Sequence, residues 1–276
     1  MSITKVTRAD LVFDVIEAGP SDGEPVLLLH GFPQHASSWD ALSPLLNEQG
    51  YRTLAMNQRG YTPGANPHGR GAYRITELVA DAVAVIDQLA GGKAHVVGHD
   101  WGAAVTWGIG MTHPEKVRTL TALSVPHTGA FLTSMLRSRQ ILKSWYMGMF
   151  QIPWLPERLL DKLYVRSMMG SGQTIEHARR DAAEFSGPSS FTGPVNWYRA
   201  LPLSNPKTSQ APVSCPTLFI WGDRDDFVTR AAADRCAQYC SGPFRFETLR
   251  GASHWLPDET PAEVAALLLS HLKDWS

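Results

Sequence analysis

The chain has little with which to cross-link itself, almost no net charge, and no long apolar run. Its three cysteines cannot close a disulfide framework. Cys215 precedes a proline, while Cys236 and Cys240 sit four apart on a stretch that reads as helix, with neither a C-x-x-C nor a zinc-ligand spacing. Reduced thiols of an intracellular protein are expected. Lys+Arg (25) and Asp+Glu (26) nearly cancel, for a net charge of −1. That removes the electrostatic argument for a nucleic-acid partner or an anionic membrane surface. Runs such as Val26–Leu29 and Ala265–Leu269 are far too short to span a bilayer, and the opening MSITKVTRADLVFDV has no apolar core of signal-peptide length. Disorder is excluded as well, because 43% of the 276 residues are hydrophobic and only 18% charged. The expectation is a cytoplasmic globular protein, monomeric or homodimeric.

What the chain does have is nine tryptophans and a clear alternation of strand-like and helix-like segments. Leu11–Glu17, Val26–His30 and Tyr51–Met56 read as strands, with a helical stretch near Trp39–Gln49. Glu77–Leu89 carries Leu78, Val79, Ala82, Val83, Ile86 and Leu89 on one helical face, and Gly91-Gly92 stops it. Ala94–Val97 and Val117–Val125 are buried-strand candidates around a helix from Trp101 to His113. Alternation of this kind argues for an α/β fold with a mostly parallel sheet covered on both faces.

It breaks off after Pro126. From His127 to Gln210 no strand is convincing, and the alternation resumes at Pro216–Trp221, with Phe244–Leu249 as last strand and Pro261–Leu272 as closing helix. The 84 residues 127–210 carry 10 Lys+Arg against 5 Asp+Glu, and the remainder 15 against 21. Residues 1–126 and 211–276 therefore read as a core domain, and 127–210 as an inserted helical cap (lid) over strand carboxyl ends, where open α/β sheets bind ligands.

The most informative segment is Ala94-His-Val-Val-Gly98-His99-Asp100-Trp101-Gly102. A strand runs into a small-x-Asp-x-small turn and then directly into a helix, the layout of a nucleophile elbow, with Asp100 where serine is usual. A β-carbon at Gly98 or Gly102 would collide with the neighbouring strand or helix. A carboxylate is ionised at neutral pH and attacks without a general base. It suits displacement at an sp³ carbon bearing a strained or good leaving group, and the resulting alkyl ester must then be hydrolysed. The bland alternative is that Asp100 only caps the helix after it. His30-Gly31-Phe32-Pro33 after Val26–Leu29 is an HG-type loop. The backbone N–H groups of Phe32 and Trp101 are the expected oxyanion donors, and His30 is expected to be structural.

Such sites run in the order nucleophile, acid, histidine. Gly222-Asp223-Arg224-Asp225-Asp226 follows one strand and Gly251-Ala252-Ser253-His254-Trp255 the last. Of the ten histidines, only His254 lies in the loop after the last strand. It is the candidate base for water, oriented by Asp225, with Asp226 and then Asp223 as alternatives.

HGFP, G-H-D-W-G, Asn57-Gln-Arg-Gly-Tyr61, W-G-D-x-D and G-x-S-H-W together resemble the epoxide hydrolase family of α/β-hydrolases along essentially the whole chain. Asn57 departs from the aspartate more usual there. The resemblance implies two tyrosines in the lid that hold and protonate an epoxide oxygen. Tyr198, in Asn196-Trp197-Tyr198-Arg199, matches one; Tyr146, before Phe150-Gln151-Ile152-Pro153, resembles the other. Opening the ring builds negative charge on oxygen, and a phenol can meet it with an O–H. The implied activity is hydrolysis of a small apolar epoxide to a vicinal diol, with no cofactor and no metal.

Haloalkane dehalogenases share the Asp-Trp pair but usually carry Asn after the HG, where Phe32 cannot hold a halide. Fluoroacetate dehalogenases place arginines beside the nucleophile, where this chain has Trp101, Ala103 and Ala104. A non-catalytic binding protein on the same scaffold is the third alternative. Phe32, Pro33, Trp101, Trp197 and Trp255 are expected to bind substrate. Trp145 and Trp154 of the lid are expected to extend that apolar wall.

Overall fold

The computed structural model describes residues 1–205 and 210–275. Eight strands form one sheet: β1 (Ser2–Arg8), β2 (Leu11–Ala18), β3 (Pro25–Leu29), β4 (Arg52–Met56), β5 (Ala94–His99), β6 (Val117–Leu123), β7 (Thr217–Gly222) and β8 (Phe244–Leu249). Their order is β1-β2-β4-β3-β5-β6-β7-β8. β1 pairs antiparallel with β2, and β2 with β4; every later pairing is parallel. The α/β class with a mostly parallel sheet stands as expected.

The interior strands are apolar on both faces, and the period-two alternation sorts their side chains into two cores. Leu27, Leu29, Val96, Leu120, Ala122 and Phe219 pack on one side with α2 (Ile75–Leu89) and α3 (Trp101–Thr112). Val26, Leu28, Val97, Leu123, Leu218 and Ile220 face the other side, with α1 (Ser43–Asn47) and α12 (Pro261–Lys273).

Three expectations need correction. β1 was not anticipated: Val6 alone of its seven residues is buried, so an edge strand open to water leaves no apolar alternation to read. The helix expected near Trp39–Gln49 is a 3₁₀ turn, Ala36–Trp39, followed by the five-residue α1 that begins Ser43-Pro44. Cys236 and Cys240 do not share a helix. Cys236–Tyr239 is a single 3₁₀ turn after α10 (Arg230–Asp234), and Cys240 is extended and bridged to Val213, with Ser241-Gly242-Pro243 unable to prolong a helix.

Between β6 and β7 the described residues hold only helices: α4 (Thr128–Arg137), α5 (Gln140–Lys143), α6 (Trp145–Met149), α7 (Leu155–Gly170), α8 (Ile175–Ala183) and α9 (Thr192–Ala200), besides short 3₁₀ turns. Residues 206–209 of the expected 127–210 lid lie outside the described residues. This insertion hydrogen-bonds to the loop after each of four parallel strands. Tyr164 Oη donates to Pro33 O (2.6 Å) after β3, and Trp197 Nε1 to Arg59 O (2.8 Å) after β4. Lys143 Nζ donates to Asp225 O (2.6 Å) after β7, and Trp255 Nε1, after β8, to Ser171 O (3.1 Å). A roof of helices thus covers the carboxyl end of the sheet.

Candidate active site

Asp100 stands at the junction of β5 and α3 with φ 51° and ψ −116°, a conformation L side chains rarely adopt. The sharp turn is possible because glycine stands two residues to either side of it, at 98 and 102. A β-carbon on Gly98 would lie 2.2 Å from Gly102 O, and one on Gly102 would lie 2.0 Å from Leu29 O. Strand, turn and helix pack too closely there for any side chain but the one they project. Gly31 completes the approach, since its β-carbon would meet Asp100 Cβ at 2.5 Å.

The two oxygens of Asp100 have different partners. Oδ1 accepts the Phe32 N–H at 2.8 Å, and Oδ2 faces His254 Nε2 at 3.3 Å. Trp101 opens α3, so its N–H has no acceptor within the helix. Burial pushes the Asp100 pKa upward, but the hydrogen bond and charge of His254, with the Phe32 N–H, hold it below the usual carboxylate value.

His254 Nδ1 donates to Asp225 Oδ2 at 2.7 Å, and both side chains are almost fully buried. Asp225 is fixed in turn by the N–H groups of Phe227 (2.7 Å) and Val228 (2.9 Å) on Oδ1. Asp226 and Asp223 are exposed, and Asp223 accepts only the Gly251 N–H. Geometry therefore brings Asp225, of the three acids, to the imidazole. Burial disfavours a charged His254, yet the charge of Asp225, with Asp100 beside it, outweighs this and raises its pKa to about 10. His254 therefore keeps its proton at neutral pH.

Tyr146 and Tyr198 stand near enough to feel the charge of Asp100, with their ring centres 5.9 Å apart. Both pKa values rise, first from burial. The charge of Asp100 adds to the rise for Tyr146, and Tyr146 and Asp100 add to it for Tyr198. Both phenols therefore stay neutral and able to donate. Around them, Phe32 packs on Tyr198 (5.0 Å) and Phe150 (5.3 Å), Trp101 on Tyr198 (5.0 Å), and Phe227 on Tyr146 (5.7 Å) and His254 (4.8 Å). Trp255 is buried against His254 (5.3 Å). Pro33 presents its carbonyl to Tyr164.

The aromatic wall differs from the expectation. Trp145 and Trp154 are each 69% exposed and face outward. On α6, Tyr146 and Phe150, four apart, share the inner face, which turns Trp145 away. Trp197 is buried with Tyr61 and Trp101 and spends its N–H on Arg59 O, so it braces the wall rather than facing the carboxylate directly. Phe150 and Phe227 take the expected places of the two outward tryptophans. Phe227 carries no motif of its own, and Phe150 enters the sequence reading only as the head of the segment that locates Tyr146.

Three supporting groups were given no role by the sequence. Gln140 is fully buried; its Nε2 donates to Phe227 O (2.6 Å) and its Oε1 accepts the Thr229 N–H (2.8 Å), holding the loop that carries Asp225. His99 Nε2 and Ser124 Oγ both donate to His254 O, at 2.8 and 2.7 Å. His30 has the structural role expected of it. Its Nε2 accepts the Gln58 N–H at 3.1 Å, and burial, above all, lowers its pKa to about 3. Asn57, where aspartate is more usual, accepts the Ala36 N–H on Oδ1 at 2.8 Å, a contact that needs one carbonyl oxygen and no charge.

A family model described as alpha/beta hydrolase fold matches residues 24–261. The AB hydrolase superfamily protein YfhM of Bacillus subtilis is 36% identical over 98% of this chain and 97% of its own length. Human Epoxide hydrolase 4 is 34% identical over 98% of this chain and 78% of its own. Among solved structures, Epoxide Hydrolase A from Mycobacterium thermoresistibile superposes with a TM-score of 0.88 at 30% identity, covering 100% of this chain and 99% of that one.

Proposed function

The chain belongs to the α/β-hydrolase fold family and, within it, to the epoxide hydrolases, and from that premise we propose that Asp100 opens a small apolar epoxide through a covalent ester. The observation that carries this reading is the split environment of the Asp100 carboxylate, with Phe32 N–H on one oxygen and His254 on the other. Oδ2 attacks the less hindered ring carbon, and Oδ1, held by Phe32, becomes the ester carbonyl. As the C–O bond of the ring breaks, Tyr146 or Tyr198 gives its proton to the departing oxygen. The second phenol keeps its hydrogen bond to that oxygen.

His254 begins as imidazolium, because Asp100 and Asp225 both hold its proton. Esterification removes the charge of Asp100, so burial pulls the pKa back down, and the proton released restores the spent phenol. Neutral His254, oriented by Asp225, then takes a proton from water as the oxygen adds to the ester carbonyl. The oxyanion rests on the Phe32 and Trp101 N–H groups. Collapse expels the diol, whose oxygen takes the second proton, and the carboxylate–imidazolium pair returns. Residues 127–210 serve as the lid that keeps bulk water from the ester, and Phe32, Pro33, Trp101 and Trp255 bind the apolar substituent, with Trp197 bracing Trp101 from behind.

A substrate panel tests the activity. Diol is expected from terminal and aryl epoxides, with no halide released from haloalkanes or fluoroacetate, because Phe32 offers no side-chain donor and Ala103 and Ala104 no cation. Halide release at rates matching epoxide turnover would move the chain to the dehalogenases.

A further inference from the structure

We propose that the outer face of α4–α6 docks on an anionic lipid surface. The near-zero net charge of the whole chain hides a segment with no carboxylate at all: between Glu115 and Glu157 there is neither Asp nor Glu. On this segment the structure exposes a run of large apolar side chains: Leu132 at 43%, Leu136 at 88%, Ile141 at 55%, Leu142 at 68% and Trp145 at 69%. Leu132 and Leu136, four apart, lie on the outward side of α4, while Ala130 and Ser134 are buried beneath. Arg137 and Arg139 stand exposed among them, and no ion pair engages either guanidinium among the described residues.

Isolated exposed leucines are ordinary on a protein surface, but this is a cluster. Thirteen of the sixteen exposed large hydrophobics of the described residues fall within 127–210. Leucines and a tryptophan beside arginines, without acids, make the composition of an interfacial surface: apolar side chains enter the acyl boundary, and guanidinium groups hold lipid phosphates. A second copy of this chain is the less suitable occupant. A two-fold contact through this face would bury Arg137 and Arg139 with no carboxylate in the segment to meet them.

Two of these helices, α5 and α6, also reach the active site. α5 shows Ile141 and Leu142 to the outside while Gln140 and Lys143 hold the Asp225 loop from within. α6 turns Trp145 outward and Tyr146 inward. A docked enzyme would therefore take an apolar epoxide from the lipid in which it dissolves. That last clause rests on the proposed activity; lipid binding itself does not.

Sedimentation with vesicles tests docking without turnover. The protein is expected to sediment with phosphatidylcholine vesicles containing phosphatidylglycerol, weakly with phosphatidylcholine alone, and less as salt rises. Each arginine near such a surface strengthens binding about fivefold. Arg137→Gln with Arg139→Gln should thus weaken it about 25-fold, and Leu136→Ser with Leu142→Ser should abolish it. Both variants should keep wild-type turnover of a water-soluble epoxide, which also shows that they fold. Absence of sedimentation with either vesicle, or equal binding to both, overturns the proposal. So does a wild-type homodimer that the Leu136→Ser, Leu142→Ser variant converts to monomer.

Discussion

Asp100→Ala is expected to lower epoxide turnover on the order of 10⁵–10⁶-fold, the scale on which a covalent nucleophile is lost. No neighbouring group can substitute. Asp225 is committed to His254 and to two backbone N–H groups, and the nearby His99 is fully buried with its Nε2 on His254 O. Substrate binding should change little, because the apolar wall is untouched, so the loss falls on kcat. The variant also carries a pH signature. In the wild type the folded His254 pKa, about 10, lies above its ordinary value of 6.5. Stability from the charged imidazole is therefore complete below pH 6.5 and lost as pH rises through about 10. Removing the Asp100 charge lowers that folded pKa, so the alkaline fall in Tm should be smaller and end at lower pH in Asp100→Ala. Thermal melts across the alkaline range read this directly, and an unchanged profile would mean that Asp100 does not hold the proton on His254.

The second large effect is expected from the paired phenols. Tyr146→Phe and Tyr198→Phe should each cost about 10²-fold in kcat, the worth of one donor to a developing oxyanion. Together they should cost about 10⁴-fold or more, since no other O–H replaces the proton donor. Both side chains are packed among aromatic rings, Tyr198 against Phe32, Trp101 and Phe150, and Tyr146 against Phe150 and Phe227, besides the hydrogen bond between them. Phenylalanine therefore keeps the wall and removes the donor alone. The measurement is the rate of enzyme alkylation in a single turnover, which isolates ring opening from hydrolysis. Wild-type alkylation in the double variant would remove both tyrosines from the mechanism.

Local collisions made the elbow readable from sequence. Gly98 and Gly102 are demanded by backbone atoms about one bond-length too near for a side chain, and such a demand leaves a fixed spacing behind. The acid and base loops were readable because each follows a strand of regular apolar pattern, though the sequence left three aspartates open and only the buried position of Asp225 distinguishes them. The chamber wall was readable in composition but not in direction. Trp145 and Tyr146 are neighbours, yet one faces water and the other the carboxylate, a matter of helical phase that tryptophan content does not carry. Gln140 and Lys143 left no trace at all. They act on main-chain carbonyls more than eighty residues away, which any sequence at those positions would supply.

The covalent ester is tested most directly by a single turnover in water labelled with heavy oxygen, followed by mass analysis of the peptide containing Asp100 and of the diol. With enzyme in excess, the account predicts that the label enters the Asp100 carboxylate and the diol carries none, because the oxygen added to the substrate comes from Asp100 Oδ2. Labelled diol with an unlabelled Asp100 would mean that water attacks the epoxide itself, and it would contradict the mechanism.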